Sequence, residues 1–345
     1  MISPDGDKLV FLLSLPRSGS TILSLLMGNH STILSPPEPW FLLKLSTLTE
    51  PGNVHSAFDD TWATIGTSQF LSHDAFHEAA RAFAATTYNR YLQEANKSIF
   101  VDKTPRYYHI LDFIETLFPK ARKVWLRRNP LDVALSYVNT WGVGIDVIAG
   151  RRVRPASFDF AVGPFALADY FDKPSPYKIE VQYSDLVRDP ASALIDLCRF
   201  LGIEYEETML DYAQNEQTVS QHARSMVGDV AAPATSAVHS ASVGKWATGL
   251  QVADLQQIVN VLGFDIFRRM GYEDTVATLQ SMGVRVGSEA EAAEARRRVA
   301  DAEIDKIAQL YKEVAALRKG ARSRRIIAHI MRKFGLDRFL GRVSR

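Results

Sequence analysis

The chain begins with an apolar run that breaks into a polar turn and then resumes with helical spacing. Leu9–Leu13 is short and fully apolar, which is typical of a strand buried in a parallel sheet. After the turn at 16–21, apolar residues recur at positions 22, 23, 26 and 27, the spacing of one helix face. The pattern therefore predicts a strand, a tight turn at its carboxyl end, and a helix.

Strands and helices are predicted to alternate through the rest of the first two thirds of the chain. Apolar runs predict further strands at 98–101, 123–126 and 177–183. Helical spacing predicts helices at 74–95, 107–117, 130–137, 158–171, 190–201 and 206–214, with a loop at 141–156. This alternation predicts an α/β fold with three layers, in which a mostly parallel central sheet carries helices on both faces.

The composition changes near Gly287, where Ala, Glu and Arg become frequent. Apolar positions 300, 304, 307, 311 and 314 alternate in steps of four and three, which predicts a long amphipathic helix. A second amphipathic segment, 326–340, is rich in Arg and Lys. We expect one domain at 1–275 and a helical, basic C-terminal extension at 276–345. Three arrangements are open for this extension: it packs on the body, it forms a coiled coil between two copies, or it contacts an anionic membrane surface.

Charge is unevenly distributed along the chain. The net charge is +1, but the residues from Arg296 onward hold 15 Lys and Arg against 5 Asp and Glu, so the body is acidic. Cys198 is the only cysteine, which excludes an intrachain disulfide and favours a reducing compartment. Asp5 and Asp7 stand where a signal peptide carries positive charge. We expect a cytoplasmic protein with no nucleic-acid partner, peripheral to the inner membrane surface if the extension binds lipid.

The turn at 16–21 has the composition of a phosphate cradle. Gly19 allows close backbone approach, the hydroxyls of Ser18, Ser20 and Thr21 are donors, and Arg17 supplies a positive charge. Free backbone N–H groups at the start of the following helix favour an anion. The turn lacks the Gly-Lys pair of a Walker A loop, which disfavours a nucleotide-dependent kinase. An ordinary turn rich in small residues is the alternative interpretation.

Cationic side chains follow two further strands at the point where each strand ends. Lys103 comes after the strand at 98–101, and Arg128 comes after the strand at 123–126. Asn129 and Asp132 are suited to capping the next helix, which carries Ser136 about two turns later. Ligands of open α/β sheets bind beyond the carboxyl ends of the strands, so we expect these groups to converge. Two anion sites on neighbouring strands suggest a nucleotide with phosphates at its 5′ and 3′ positions.

This pairing resembles the sulfotransferase family that uses 3′-phosphoadenosine 5′-phosphosulfate (PAPS). Residues 16–21 resemble the family's 5′-phosphosulfate loop, and residues 128–136 resemble its 3′-phosphate motif. Residues 181–186 match another family segment, and residues 242–246, here called the late loop, resemble the loop that closes over the 3′-phosphate. The likeness spans roughly 8–270 and is nearer to the bacterial and protein-tyrosine sulfotransferases than to the cytosolic steroid and phenol enzymes.

The resemblance also implies where the catalytic base lies. Cytosolic members carry Lys-Thr-His after the second strand, the His being the base, whereas this chain has Lys103-Thr104-Pro105. In the tyrosine-sulfating branch a glutamate follows the first helix, and Glu38 holds the corresponding position here. We therefore expect Glu38 to be the base.

The resemblance implies a P-loop NTPase-like fold and in-line transfer of a sulfuryl group from PAPS to an acceptor hydroxyl, leaving 3′,5′-ADP, with no metal required. The acceptor would be a saccharide, a glycolipid or a small metabolite. A nucleotide-binding scaffold that has lost catalysis is the alternative from another class. The implied catalytic residues are Glu38, Arg17 and Lys103. The implied PAPS-binding residues are Arg17, Ser18, Gly19, Ser20, Thr21, Arg128, Ser136, Tyr183, Gly244 and Lys245.

Overall fold

The structure is a computed structural model of the 345-residue chain, and it describes residues 1–48, 67, 69–211, 240–285 and 287–302. The chain divides into two compact units, Met1–Asp301 and Ala302–Arg345. Nearly all of the second unit lies outside the described residues. The same holds for most of the amphipathic helix predicted from positions 300–314, for the segment predicted at 326–340 and for the end of the helix predicted at 206–214. The coiled coil and the membrane-surface helix therefore remain predictions.

Five parallel strands form the central sheet, which confirms the predicted fold class. The strands are β1 (Leu9–Leu13), β2 (Ile33–Leu34), β3 (Ile99–Asp102), β4 (Arg122–Arg127) and β5 (Lys178–Gln182). Their order is β2-β3-β1-β4-β5, so the first strand of the chain lies at the centre. The two-residue strand β2 was not predicted, because so short a run leaves no periodic signal.

Alternating side chains of β1 supply two separate cores, one on each face of the sheet. Leu9, Phe11 and Leu13 belong to one apolar cluster, and Val10 and Leu12 belong to the other. Both sets are almost completely buried, because helices cover both faces of the sheet. The fully apolar pattern of this strand thus follows from the layered architecture.

Fourteen helices, of 4 to 23 residues, are bounded within the described residues. They are α1 (Ser20–Gly28), α2 (Phe41–Ser46), α3 (His73–Ala95), α4 (Leu111–Leu117), α5 (Pro130–Trp141), α6 (Ile145–Ile148), α7 (Pro155–Ala161), α8 (Gly163–Phe171), α9 (Tyr183–Arg188), α10 (Pro190–Leu201), α11 (Trp246–Gly249), α12 (Val252–Leu262), α13 (Asp265–Arg269) and α14 (Glu273–Ser281). The same residues contain 3₁₀ turns at Pro105–His109, Glu207–Leu210 and Ser240–Ser242. Residues 289–302 are also helical.

Two predicted helices are broken in the structure. The helix expected at 107–117 is a 3₁₀ turn followed by α4, because Ile110 leaves the helical region with a φ of −132°. The helix expected at 158–171 is split into α7 and α8 at Val162, since Pro164 in the first turn of α8 has no N–H to continue the earlier ladder. The loop expected at 141–156 contains α6.

The first compact unit ends at Asp301, and its last helical residues pack on the preceding ones. Helical residues 289–302 pack Ala295 and Val299 against Ala149, Phe158 and Val261. The guanidinium of Arg296 also lies 4.0 Å from the ring centre of Phe165. Among the helices that the structure describes, none combines the length and the apolar character needed to cross a bilayer.

Candidate active site

The 16–21 loop makes a tight turn between β1 and α1. Arg17 and Gly19 both adopt positive φ, +67° and +91°, and Gly19 is the N-cap of α1. The Leu23 N–H bonds back to the Gly19 carbonyl, so the earlier N–H groups of the first helical turn have no partner within the helix. With the dipole of the nine-residue α1 behind them, these N–H groups are donors of the kind that an anion accepts from.

Gly19 is required by a neighbouring side chain as well as by its φ. A Cβ at this position would lie 2.4 Å from the Tyr183 ring, nearer than any real contact. Tyr183 is buried, and its hydroxyl pairs with Ser242 Oγ at 2.8 Å. The sequence assigned Gly19 to close approach of a ligand, whereas in the structure it also allows the approach of Tyr183. This contact joins the 16–21 loop to the end of β5 and to the late loop.

The Arg17 side chain lies against the end of α5. Its Nε donates to Ser136 Oγ at 3.1 Å, and its Nη2 donates to Thr140 Oγ1 at 3.3 Å. The guanidinium also lies 5.3 Å from the ring centre of Trp141, which is half exposed. The sequence analysis assigned Arg17 to the 5′-phosphosulfate loop and Ser136 to the 3′-phosphate motif. In the structure these two side chains are in direct contact.

Lys103 links the 16–21 loop to Glu38. Its Nζ donates to Glu38 Oε1 at 2.9 Å and to Thr21 Oγ1 at 3.4 Å. The Lys103 and Glu38 side chains are only 1% and 7% exposed. Two of the predicted catalytic residues therefore form a buried ion pair at the carboxyl edge of the sheet.

Glu38 is held from its other side by Trp40. The Trp40 Nε1 donates to Glu38 Oε2 at 2.8 Å, so each carboxylate oxygen has one fixed donor and keeps a lone pair. Trp40 adopts a φ of +59°, and its backbone N–H lies 3.4 Å from Thr104 Oγ1. This strained residue at the start of α2 orients the carboxylate.

A second buried carboxylate stands directly before Lys103. Asp102 accepts hydrogen bonds from Tyr88 Oη at 2.6 Å, Tyr107 Oη at 2.9 Å and Thr104 Oγ1 at 3.0 Å. Burial raises the pKa of Asp102 to about 6, against the lowering effect of these three hydroxyl donors. Asp102 therefore connects the end of β3 through Thr104 to the Trp40 backbone. Thr104 is only two residues away, but no sequence pattern indicates the contacts of the two tyrosines, because Tyr88 lies in α3 and Tyr107 in a 3₁₀ turn.

Arg128 is a buried cation at the end of β4. Its Nη1 donates to the Arg17 carbonyl at 2.8 Å, its Nη2 donates to the Ser242 carbonyl at 3.1 Å, and its guanidinium lies 4.5 Å from the ring centre of Tyr183. Burial lowers the pKa of Arg128, and the nearby charge of Arg17 lowers it further. Arg128 and Arg17 are two neighbouring positive charges, and Arg128 is buried. An anion bound beside them would reduce their repulsion.

The late loop is anchored to α5 by Asp132. One carboxylate oxygen accepts from the Gly244 N–H at 2.8 Å and the other accepts from the Trp246 N–H at 3.1 Å. Burial raises the pKa of Asp132, and these two donors oppose the shift. The sequence expected Asp132 to cap α5, but Asn129 alone does so, by accepting from the Leu131 N–H at 3.0 Å. The contact of Asp132 with the late loop was not predicted, because the residue also fits the sequence pattern of a helix cap.

Cys198 and His30 make contacts within the protein that stabilise its fold. Cys198 is buried with its Sγ 3.6 Å from Met209 Sδ, and burial raises its pKa to about 11. His30 bonds to the Glu204 carbonyl through Nε2 and to the Thr32 N–H through Nδ1. Across the described parts of the chain, no three His, Cys, Asp or Glu side chains are grouped to hold a metal ion.

Solved structures with this architecture include two sulfotransferase domains. The sulfotransferase domain from the curacin biosynthetic pathway superposes with a TM-score of 0.52 at 23% identity, covering 72% of this chain and 95% of that one. The sulfotransferase domain of the Synechococcus PCC 7002 olefin synthase gives a TM-score of 0.54 at 25% identity, covering 78% of this chain and 94% of that one. These similarities support the fold.

Sequence comparison gives a more specific result. Nodulation protein NoeE of Sinorhizobium fredii is 31% identical over 292 residues, which are 79% of this chain and 68% of that protein. The profile of the sulfotransferase family matches residues 10–207, a stretch that contains the 16–21 loop, Glu38, Lys103, Arg128 and Tyr183. These two matches show that the chain belongs to the sulfotransferase family.

Proposed function

We propose that the protein transfers a sulfuryl group from PAPS to an acceptor hydroxyl. The observation that carries this proposal is the bond between Arg128 and the Arg17 carbonyl. This bond joins the 16–21 loop to the residues just before α5, which supports recognition of a single nucleotide with 5′ and 3′ phosphates. Members of the sulfotransferase family use this donor.

The chemistry of the residues fits the anionic donor. The Arg128 Nε is buried and has no hydrogen-bond partner among the described residues, so it is a donor that an anion would satisfy. Arg128, Ser136 and Lys245 would bind the 3′-phosphate, with Gly244 in the same loop. Arg17, Ser18, Gly19, Ser20 and Thr21 would bind the 5′-phosphosulfate. Tyr183 would lie beside the nucleotide.

The buried ion pair supplies the groups that the transfer needs. Glu38 accepts the proton of the acceptor hydroxyl, and Trp40 and Lys103 keep its carboxylate in one orientation. Lys103 and Arg17 stabilise the negative charge that grows on the leaving oxygen, as fixed cations do in phosphoryl transfer. The reaction proceeds in line and needs no covalent enzyme intermediate.

Two alternative functions are disfavoured by particular residues. A nucleotide-dependent kinase would need the Walker lysine, which the 16–21 loop does not contain. A scaffold that has lost catalysis has no reason to retain a buried carboxylate beside a buried lysine, since such pairs cost desolvation energy and contribute little stability.

The acceptor is proposed to be a saccharide, a glycolipid or a small metabolite with a free hydroxyl. The test is incubation with ³⁵S-labelled PAPS and a panel of oligosaccharides, glycolipids, phenols and amines. Label attached to a carbohydrate or alcohol oxygen supports the proposal. Label found only on amines contradicts hydroxyl transfer, and a Glu38→Gln control identifies label that arises without the enzyme's base.

We also propose that the protein is cytoplasmic and that its basic C-terminal residues contact either an anionic membrane surface or a second copy of the chain. The net positive charge of the residues from Arg296 onward supports the membrane contact. The apolar spacing at positions 300–314 supports the contact with a second copy. Deletion of 321–345 is expected to weaken co-sedimentation with anionic vesicles. Unchanged co-sedimentation would contradict membrane contact, and analytical ultracentrifugation of the same variant tests dimerisation.

A further inference from the structure

The late loop is fixed at several points by polar contacts within the protein itself. Arg128 donates to the Ser242 carbonyl, and Tyr183 Oη pairs with Ser242 Oγ. Further along the loop, the Gly244 and Trp246 N–H groups both donate to Asp132. Lys245 itself is exposed and lies between the two residues that Asp132 holds. The Asp132 contacts thus determine where the backbone on both sides of Lys245 lies.

Asp132 lies on the helix that also carries Ser136. The two residues are four positions apart in α5, so they share one helix face. Asp132 is 4% exposed, and its carboxylate is close enough to Arg128 for that charge to lower the Asp132 pKa. A carboxylate here would repel a bound phosphate if its charge were not offset. Two backbone N–H donors and a guanidinium provide that offset.

We propose that Asp132 is the positioning residue of the 3′-phosphate site: it holds Gly244 and Trp246 so that Lys245 meets the phosphate without a prior ordering step. This inference rests on the proposed PAPS donor. Asp132 touches neither the nucleotide nor the acceptor and acts through the backbone of the late loop. Because Asp132 already orders the late loop, the nucleotide does not spend binding energy on ordering it, and its affinity is higher.

The fold around Asp132 has independent support, so its role in the site can be separated from stability. Trp246 is 4% exposed in the large apolar cluster, and Leu135 lies against Gly249, where a Cβ would come within 2.7 Å of it. Asn129 caps α5 without help from Asp132. We therefore expect Asp132→Asn to fold while replacing one acceptor oxygen by an amide that cannot accept the backbone N–H.

The test compares two nucleotides that differ only in the 3′-phosphate. Calorimetric titration of Asp132→Asn should show an affinity for 3′,5′-ADP reduced about tenfold to a hundredfold, the effect of losing one charge-assisted hydrogen bond. Its affinity for AMP should change less than about twofold, since AMP makes no use of the late loop. Asp112→Asn, which removes an exposed first-turn acid from α4, is the matched control and should bind both nucleotides normally.

A double-mutant cycle with Lys245→Ala separates positioning from general damage. If Asp132 acts through Lys245, the lysine substitution should cost much less 3′,5′-ADP affinity in the Asp132→Asn background than in the wild type. Equal losses for 3′,5′-ADP and AMP, or additive losses in the cycle, would overturn the inference. A wild-type protein that does not prefer 3′,5′-ADP to AMP would instead refute the proposed donor, so the two failures are distinguishable.

Discussion

Lys103 and Glu38 form a 2.9 Å ion pair in which both side chains are more than nine-tenths buried. Burying both charges costs desolvation energy, and removal of either partner would leave the other charge uncompensated. The pair also bonds to Thr21 of the 16–21 loop and to the Trp40 indole. The predicted base is thus fixed to the predicted phosphate cradle through a single lysine.

Glu38→Gln should reduce kcat by about a hundredfold to ten-thousandfold, the usual contribution of a general base, because an amide accepts no proton. Affinity for 3′,5′-ADP should remain within about threefold, since the nucleotide-binding groups are unchanged. Turnover assays with labelled PAPS and calorimetry measure the two quantities.

Glu115→Gln is the matched control for this substitution. Glu115 pairs with Lys123, which is also 1% exposed, at 3.0 Å, and Lys123 lies at the start of β4, away from the carboxyl edge. A glutamine there disturbs another buried lysine and should leave kcat unchanged. Equal losses of kcat in both variants would show that Glu38 acts through stability alone.

Gly19→Ala should lower the free energy of unfolding and the nucleotide affinity together. The substitution places a side chain at a φ of +91° and drives a Cβ into the Tyr183 ring. Gly202→Ala is the control, because Gly202 has a φ of +72° and no described atom lies within 4 Å of the place a Cβ would take. The control should cost only the conformational strain of a positive φ, about 1–2 kcal/mol. Urea denaturation that gives the two variants equal costs would contradict the Tyr183 constraint.

Asp102 should make stability depend on pH in a direction that is unusual for a carboxylate. Its pKa is about 6 in the folded protein against an ordinary value of 3.8, so the folded state holds the proton more tightly. The free energy of unfolding should therefore fall as pH rises from 4 to 7, by about 2–3 kcal/mol from this group.

Asp102→Asn removes this titration. The stability of the variant minus that of the wild type should rise by about 2–3 kcal/mol between pH 4 and pH 7, as measured by urea unfolding at each pH. A difference that stays constant across this range would mean that Asp102 keeps an ordinary pKa when folded.

The parts of the fold that follow from short-range pattern were predictable from sequence. The run at Leu9–Leu13 forms a buried strand because both of its faces are covered, and the turn after it leads into α1 as expected. Arg17, Lys103 and Arg128 were expected to converge because parallel strands end at one edge of a sheet. The structure places all three at that edge.

Contacts between distant segments were not predictable in the same way. Asp132 has the sequence context of a helix cap, and only the tertiary structure brings Gly244, which is 112 residues away, to its carboxylate. Two of the three hydrogen bonds of Asp102 come from Tyr88 in α3 and from Tyr107 in a 3₁₀ turn that was partly predicted as α-helix. No sequence pattern indicates the positive φ of Trp40. Each of these features depends on packing, which residue spacing does not encode.

The measurement that tests the central claim most directly is the affinity of the wild-type protein for 3′,5′-ADP relative to ATP, determined by calorimetry. A site built from the 16–21 loop and Arg128 should bind 3′,5′-ADP at least about tenfold more tightly, because only that nucleotide places phosphates at both positions. Tighter binding of ATP would contradict the two-phosphate site and the PAPS donor with it.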